Sequence, residues 1–381
     1  MAVRALYAGA VVLAAHAAVF VWGMAALLLA VAETPGGRLA ALCFLCLPPG
    51  VMLVLLRPLL PSARTRRWTV ASAVLVAGAA GAYGLAWAQA PRGEAPAGAP
   101  LQSVWLDGDR FRPWALANVV PEIDQFTLGS YLVPFLDPYI DGAQAARIRE
   151  TFQHIYRPMR QDPAFVALGS GMPMAYSDLP GLPRDRGHLY VYTPASRPEG
   201  ALPVVLFLHG SAGPFKGYQW VWAELAEAEG WAVVSPSFGF GHWGDPAGVD
   251  TVRRALDYIA ANPRLDADRV VLAGLSNGGL GVTRAAAGIP GAFQGLVYLS
   301  PVIEAGWMPD VARAHRGPVT VITGADDRRV PLSWVRGAVE VLEAQGADVR
   351  LEVAPGEDHF LFFSDPGWCR ERVGEAILGP R

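Results

Sequence analysis

Three long apolar stretches open the chain. Residues 5 to 32 carry no charged side chain, a second stretch runs from Leu39 to Leu56, and a third from Trp68 to about Ala90. About twenty apolar residues in a row are enough to cross the hydrocarbon core of a bilayer. A buried helix of a soluble domain would show a polar face at helical spacing, and none of the three does. The pattern predicts three membrane-spanning helices within residues 1–90. "ETPGGR" forms the turn between the first two. "PRGEAPAGAP", residues 91–100, has the Pro, Gly and Ala content of a linker and no apolar periodicity.

From Leu189 the pattern changes to short apolar runs alternating with amphipathic ones. "HLYVYTP", "LPVVLFLHG", "WAVVSPSF", "RVVLAGLS", "GLVYLSPV", "PVTVITGADD" and "VRLEVAPGEDH" read as strands. "YQWVWAELAEAEG" and "DTVRRALDYIAAN" between them read as helices. Continuous apolar strands separated by helices imply an α/β domain, with a mostly parallel sheet covered on both faces. Reactive groups in such sheets gather at the carboxyl ends of strands. The expected organisation is a membrane anchor over 1–90, a linker over 91–100, an extra segment over 101–186 and the α/β domain over 187–381. In the extra segment, "AQAARIRETFQHIY" reads as a helix. The aromatic-rich "FTLGSYLVPFLDPYI" is expected to pack on the domain, the alternative being a place at the lipid surface.

Composition sharpens this picture in few places. The chain is 52% hydrophobic and 17% charged, with the apolar excess in the first ninety residues. A net charge of −3 gives no reason to expect nucleic acid, and the three apolar stretches make membrane lipids an expected partner. Arg57, Arg64, Arg66 and Arg67 cluster between the second and third stretches. Arginine-rich loops stay cytoplasmic, which puts Arg4 and the N-terminus inside and everything after Ala90 outside. A rival reading takes "AVA" at 30–32 as a signal-peptidase site, and leaves the α/β domain outside as well. Pro48 and Pro49 are expected to kink the second helix. His16 is expected to bond a neighbouring helix. Cys43 and Cys46 read as packing residues, and Cys369 has no partner for a disulfide.

The candidate chemistry starts at "VVLAGLSNGGLG", residues 270–281. Ser276 follows an apolar strand, precedes a plausible helix, and stands between Gly274 and Gly278. Those glycines allow the sharp turn that exposes a nucleophile, the G-x-S-x-G elbow. A serine hydroxyl needs a base, and a base needs an orienting carboxylate. "GEDHF" supplies His359 after the last strand, and "GADDRRVP" supplies Asp326 and Asp327 after the strand before it. All fall at strand carboxyl ends, in the order Ser, Asp, His. His242 in "GFGHWGD" is a rival base. Ser300 lacks the elbow glycines and reads as structural, as does His209.

With the elbow "GLSNGG", the acid motif "GADDRRVP", the histidine motif "GEDHF" and the segment "HGSAG", residues 187 to 380 resemble the α/β-hydrolase family of esterases, lipases and dienelactone hydrolases. The resemblance implies a catalytic triad of Ser276, Asp327 and His359, with Asp327 preferred over Asp326 because of its spacing to Val330-Pro331. It also implies an oxyanion hole from the backbone N–H groups of Asn277 and Ser211, with Ala212 as the other candidate. No cofactor and no metal are implied. The gap between the fifth and sixth predicted strands, "IEAGWMPDVARAHRG", fits one helix and no lid domain, which leaves 101–186 as the candidate cover. The leading expectation is a multi-pass membrane-anchored serine hydrolase acting on small-molecule or lipid-like carboxylic esters at the outer face. A prolyl-oligopeptidase-like serine peptidase is the runner-up, although no propeller repeat precedes the domain. A non-catalytic membrane protein that retains the fold is the third reading.

Overall fold

The computed structural model describes residues 2–59, 62–108, 111–178, 187–195 and 200–378. The boundary expected at 186 and the side chains of Arg4 and Arg64 lie outside the described residues. The chain forms two compact units, Met1–Pro91 with Pro113–Leu136, and Arg92–Arg112 with Asp137–Arg381.

The first unit contains α1 (Ala2–Val31), α2 (Pro35–Leu56) and α3 (Ser62–Gln89). All three are long and apolar enough to cross a membrane. The turn between α1 and α2 is built by Thr34, whose side chain accepts a 2.9 Å hydrogen bond from Gly37 N–H while Pro35 opens the helix. α2 runs through Pro48 and Pro49 to Leu56 as one helix. Arg66 and Arg67 sit in the early turns of α3. His16 Nδ1 lies 2.8 Å from the Val12 carbonyl. The imidazole therefore bonds its own helix, where the carbonyl one turn back is the partner within reach, and not a neighbouring one. Cys43 and Cys46 are both free thiols.

Two further helices belong to this unit, α4 (Leu116–Val119) and α5 (Glu122–Leu136). α5 takes up most of the aromatic-rich segment expected to pack on the α/β domain. Its buried positions are Glu122, Ile123, Asp124, Thr127 and Ser130, and Phe135 and Leu136 are exposed. The inward side thus carries Glu122, Asp124, Thr127 and Ser130 beside Ile123, while the apolar residues at the C-terminal end of the helix are turned outward.

The second unit is built on one eight-stranded sheet. In chain order its elements are β1 (Leu101–Trp105), α6 (Gly142–Met159), α7 (Pro163–Ala167), α8 (Met172–Asp178), β2 (His188–Tyr192), β3 (Leu202–Leu208), α9 (Lys216–Glu229), β4 (Ala232–Pro236), α10 (Pro246–Ala261), β5 (Leu265–Leu275), α11 (Gly278–Gly288), β6 (Gly295–Leu299), α12 (Met308–Ala314), β7 (Val319–Gly324), α13 (Leu332–Ala344), β8 (Val349–Ala354), α14 (Leu361–Ser364) and α15 (Pro366–Leu378). The strand order is β1-β2-β4-β3-β5-β6-β7-β8, with β2 antiparallel to both neighbours and β3 to β8 mutually parallel. This is the α/β-hydrolase fold.

Strand β1 comes from upstream of residue 187, so part of the 101–186 segment is a sheet edge. Buried His188 ties it in place. Its ring nitrogens lie 2.9 Å from the Ser103 hydroxyl and 2.6 Å from that of Ser237, and burial pushes its pKa down to about 3, so the ring is neutral.

Helices cover both faces. α10, α11, α12 and α13 form one layer, and α9, α14 and α15, with α6 outside them, form the other. The first layer, with Val282 of α11 among its inward side chains, closes over Val204, Leu206, Val234, Leu272, Leu296 and Val321. Under the second, Phe207, Trp222 and Phe362 meet with ring centroids 5.1 to 6.1 Å apart. Full burial of a large apolar side chain contributes about 1.5–3 kcal/mol, so the two layers hold the strand ends firmly. The rigid sheet is what fixes the positions of the loops at its carboxyl edge.

Candidate active site

Ser276 stands one residue beyond β5 and two before α11. Its φ is +52°, in the left-handed region that a residue with a Cβ rarely occupies. Such a conformation costs about 1–3 kcal/mol and persists only where its surroundings hold it. Here Ser276 N–H donates to the Leu299 carbonyl at 3.0 Å, and its own carbonyl accepts from Gly279 and Val302 N–H, both at 2.9 Å. The turn also depends on the two flanking glycines. A Cβ on Gly274 would lie 2.4 Å from the Gly278 carbonyl oxygen, and one on Gly278 only 2.2 Å from that of Leu208. Both contacts are to backbone, which cannot step aside, so the helix can approach the sheet only without side chains at these positions. The result is a half-buried serine whose Oγ faces the carboxyl edge of the sheet.

Two loops bring the other members to it. Ser276 Oγ is 2.9 Å from His359 Nε2, and His359 Nδ1 is 2.7 Å from Asp327 Oδ2. A carboxylate can only accept, so Nδ1 carries the proton and Nε2 is left free to accept the serine hydroxyl. Asp327 is buried, and its other oxygen, Oδ1, accepts from the N–H groups of Arg329 at 2.9 Å and Val330 at 2.8 Å. Asp326 is exposed and contributes only its backbone N–H, which donates to the Glu357 carbonyl. Of the two adjacent aspartates, Asp327 is the one that reaches the histidine. His242 is exposed, with its ring 5.8 Å from that of Phe240, and His359 holds the place beside Ser276.

The candidate oxyanion residues also come together. Asn277 Nδ2 donates to Ser211 Oγ at 2.6 Å, which locks the loop after β3 to the start of α11. Neither the Ser211 nor the Asn277 backbone N–H is taken up by another group among the described residues. Ala212 next to them holds φ +77°. Beneath this loop His209 is a structural part. Its Nδ1–H donates to the Gly210 carbonyl at 2.8 Å, and its Nε2 accepts from Phe238 N–H at 3.1 Å. Burial lowers its pKa to about 4, so the ring stays neutral and holds the loop. Tyr218 stacks beside Phe215 at 3.9 Å, and burial raises its hydroxyl pKa. Ser300 is buried with φ +38° and its hydroxyl has no hydrogen-bond partner among the described residues, in keeping with a structural place at the end of β6.

The segment ahead of the predicted motifs supplies supports that the sequence did not reveal. Gln144 on α6 donates from Nε2 to Asp358 Oδ2 at 2.9 Å, bracing the residue before His359. Asp137 forms an ion pair with Arg329, whose backbone holds Asp327. Both partnerships cross about two hundred residues of chain, so no local signal pointed to them. α8 abuts the oxyanion loop, and a Cβ on Gly213 would meet that of Ala175 at 2.4 Å. After β6 the chain makes one short turn and α12 and nothing larger. A pocket of about 780 Å³ lies behind the acid and histidine loops, lined in part by Asp141, Gln144, Asp326 and Asp358.

No protein-family model matches the sequence, and no curated protein does. Among solved structures, a Bacteroides ovatus protein assigned as a dipeptidyl aminopeptidase IV matches at 16% identity and a TM-score of 0.43, over 51% of this chain and 34% of its own. A Klebsiella pneumoniae protein assigned as a dienelactone hydrolase matches at 18% identity and 0.43, over 51% of this chain and 93% of its own. An esterase from Thermogutta terrifontis matches at 17% and 0.40, over 50% and 86%. The chain thus spans about a third of the peptidase and most of the two smaller enzymes. At these identities and TM-scores the fold rests on the sheet topology and the chemistry on the site itself. The chain has the α/β-hydrolase fold, preceded by three apolar helices long enough to cross a membrane.

Proposed function

We propose that this chain is a membrane-anchored serine hydrolase that cleaves carboxylic esters through an acyl-enzyme. The observation that carries the reading is the unbroken line of hydrogen bonds from Ser276 Oγ through His359 to Asp327, mounted on a strained elbow. Ser276 Oγ attacks the acyl carbon while His359 Nε2 takes its proton. Asp327 stabilises the resulting imidazolium and keeps its tautomer fixed. The N–H groups of Asn277 and Ser211 receive the oxyanion, which in such sites supplies a large share of the rate. His359 then hands the proton to the departing alkoxide, and water, activated by the same imidazole, releases the acid. The chemistry calls for no metal or cofactor.

The test is a fluorophosphonate probe together with matched ester and peptide panels on the full chain in detergent. The expected outcome is one covalent adduct, on Ser276, and turnover of esters well above that of amides of the same acyl group. Faster cleavage of peptides would replace the ester reading with the peptidase one. Absence of any adduct would leave a fold without its chemistry.

We place the α/β domain on the outer side of the membrane. Four arginines, Arg57, Arg64, Arg66 and Arg67, lie between the second and third apolar stretches, against one arginine and one glutamate at the α1–α2 turn, and the arginine-rich side resists translocation. With three spans the N-terminus is then inside and residue 91 onward outside. A reporter fused after Arg381 should be active as alkaline phosphatase and dark as a fluorescent protein that matures only in the cytoplasm. The opposite pattern would put the domain inside and overturn the charge argument.

A further inference from the structure

We propose that the outward apolar side of α5 is immersed in the bilayer that α1, α2 and α3 span, making α5 a fourth, non-spanning membrane contact. The inference rests on the reading of those three helices as spans. From Gln125 to Leu136 the helix has no charged side chain. Phe135 is 86% exposed and Leu136 78%, with Tyr131 exposed on the same helix and Trp114 and Leu116 just ahead of it. Exposed apolar residues scattered singly need no explanation, but a cluster at the end of a helix with a polar inner side does.

The level of this cluster is set by bonds to the ends of the spans. The Asp124 carboxylate accepts from Glu33 N–H at 2.7 Å and from Thr34 N–H at 3.4 Å, and also from the Thr34 hydroxyl. Those residues form the α1–α2 turn. Four residues further on, Leu128 packs with Leu28, Leu29, Ala32 and Ala41, inside the apolar lengths of α1 and α2. Asn118 Nδ2 donates to the Pro91 carbonyl at 3.1 Å, just past the end of α3, and the Tyr83 hydroxyl donates to the Trp114 carbonyl. Every tie is to the same end of the bundle. Asp124 therefore marks the water side, Leu128 already sits at span depth, and the exposed Tyr131, Phe135 and Leu136 lie one to two turns further along the helix. Aromatic residues such as Trp114 and Tyr131 are the types that favour the boundary between headgroups and acyl chains.

The test uses the full chain in phosphatidylcholine nanodiscs, with Cys43, Cys46 and Cys369 changed to alanine and one new cysteine carrying an environment-sensitive fluorophore. Phe135→Cys and Leu136→Cys report on α5. Val74→Cys, on the exposed side of α3, reports on a span, and Tyr176→Cys, exposed on α8, reports on the α/β unit. Lipids bearing a shallow doxyl group should quench the two α5 probes several-fold more than the Tyr176 probe, and aqueous iodide should quench them less. Quenching of Val74 without quenching of α5 overturns the proposal and leaves the spans in place. Probes on α5 shielded from both quenchers point to a protein partner and overturn it too. If Val74 is also reached by iodide and not by lipid, the reading of α1–α3 as spans fails and takes this inference with it. A photoactivated diazirine lipid gives a second measurement on the unaltered chain. Its adducts should fall within 126–136 as well as within the spans, and adducts in the spans alone count against the proposal.

Discussion

Ser276→Ala should leave the protein folded, unlabelled by fluorophosphonate, and slower in ester turnover by on the order of 10⁶-fold, the scale reached when a serine nucleophile is removed from a triad. Only Oγ disappears. The backbone bonds to Leu299, Gly279 and Val302 that hold φ at +52° do not involve the side chain, so alanine keeps the same turn and the same strain. His359 retains its bond to Asp327 and stays oriented, with Nε2 facing a space the size of a hydroxyl. Thermal unfolding should therefore change little, because the lost bond is one neutral hydrogen bond at a half-buried site, typically worth about 1 kcal/mol. The measurement is turnover and probe labelling beside an unfolding curve on the same preparation. A variant that still turns over esters at the parent rate would remove Ser276 from the chemistry. One that unfolds would show that the hydroxyl also supports the elbow.

How much of this could be read from the chain depends on the distance over which each signal acts. Seven strands announced themselves, most of them because a strand buried on both faces is apolar along nearly its whole length, as Leu202–Leu208 and Gly295–Leu299 are. The eighth, Leu101–Trp105, did not. It is a sheet edge on which only Leu101 is buried, and its sequence carries polar residues where water reaches it. Ser276, Asp327 and His359 were legible as a set because each stands at a strand end, and parallel strands deliver their ends to one edge. The choice of Asp327 over its neighbour came from resemblance, and the structure adds a physical basis in two backbone N–H groups that converge on Oδ1. What stayed hidden was long-range and polar. Nothing in "DPYI" or "GAQAAR" says that Asp137 will meet Arg329 or that Gln144 will meet Asp358. α5 is a related case. Its apolar content suggests packing on the domain, and only the buried bonds of Asp124 show which side faces protein.

Asp327→Asn should lower kcat/KM for esters by about 10⁴-fold, the loss seen when a triad aspartate becomes an amide, whereas Asp326→Asn should change it by no more than a small factor. The bonds around residue 327 decide this. An asparagine there has one oxygen and one NH₂. The N–H groups of Arg329 and Val330 need an acceptor, so the amide oxygen takes the place of Oδ1 and the NH₂ turns toward His359. Nδ1 must then accept, which moves the imidazole proton to Nε2. A protonated Nε2 cannot receive the hydrogen of Ser276, and the nucleophile goes unactivated. The flipped amide fares no better, since its NH₂ would confront two buried N–H donors. Residue 326 has no such role, because its side chain is exposed and its backbone bond to Glu357 survives the change. Steady-state kinetics of both variants on one ester, with fluorophosphonate labelling rates alongside, give the comparison. Equal losses at the two positions would show that the carboxylate acts on the site by charge alone, and a larger loss at 326 would move the acid by one residue.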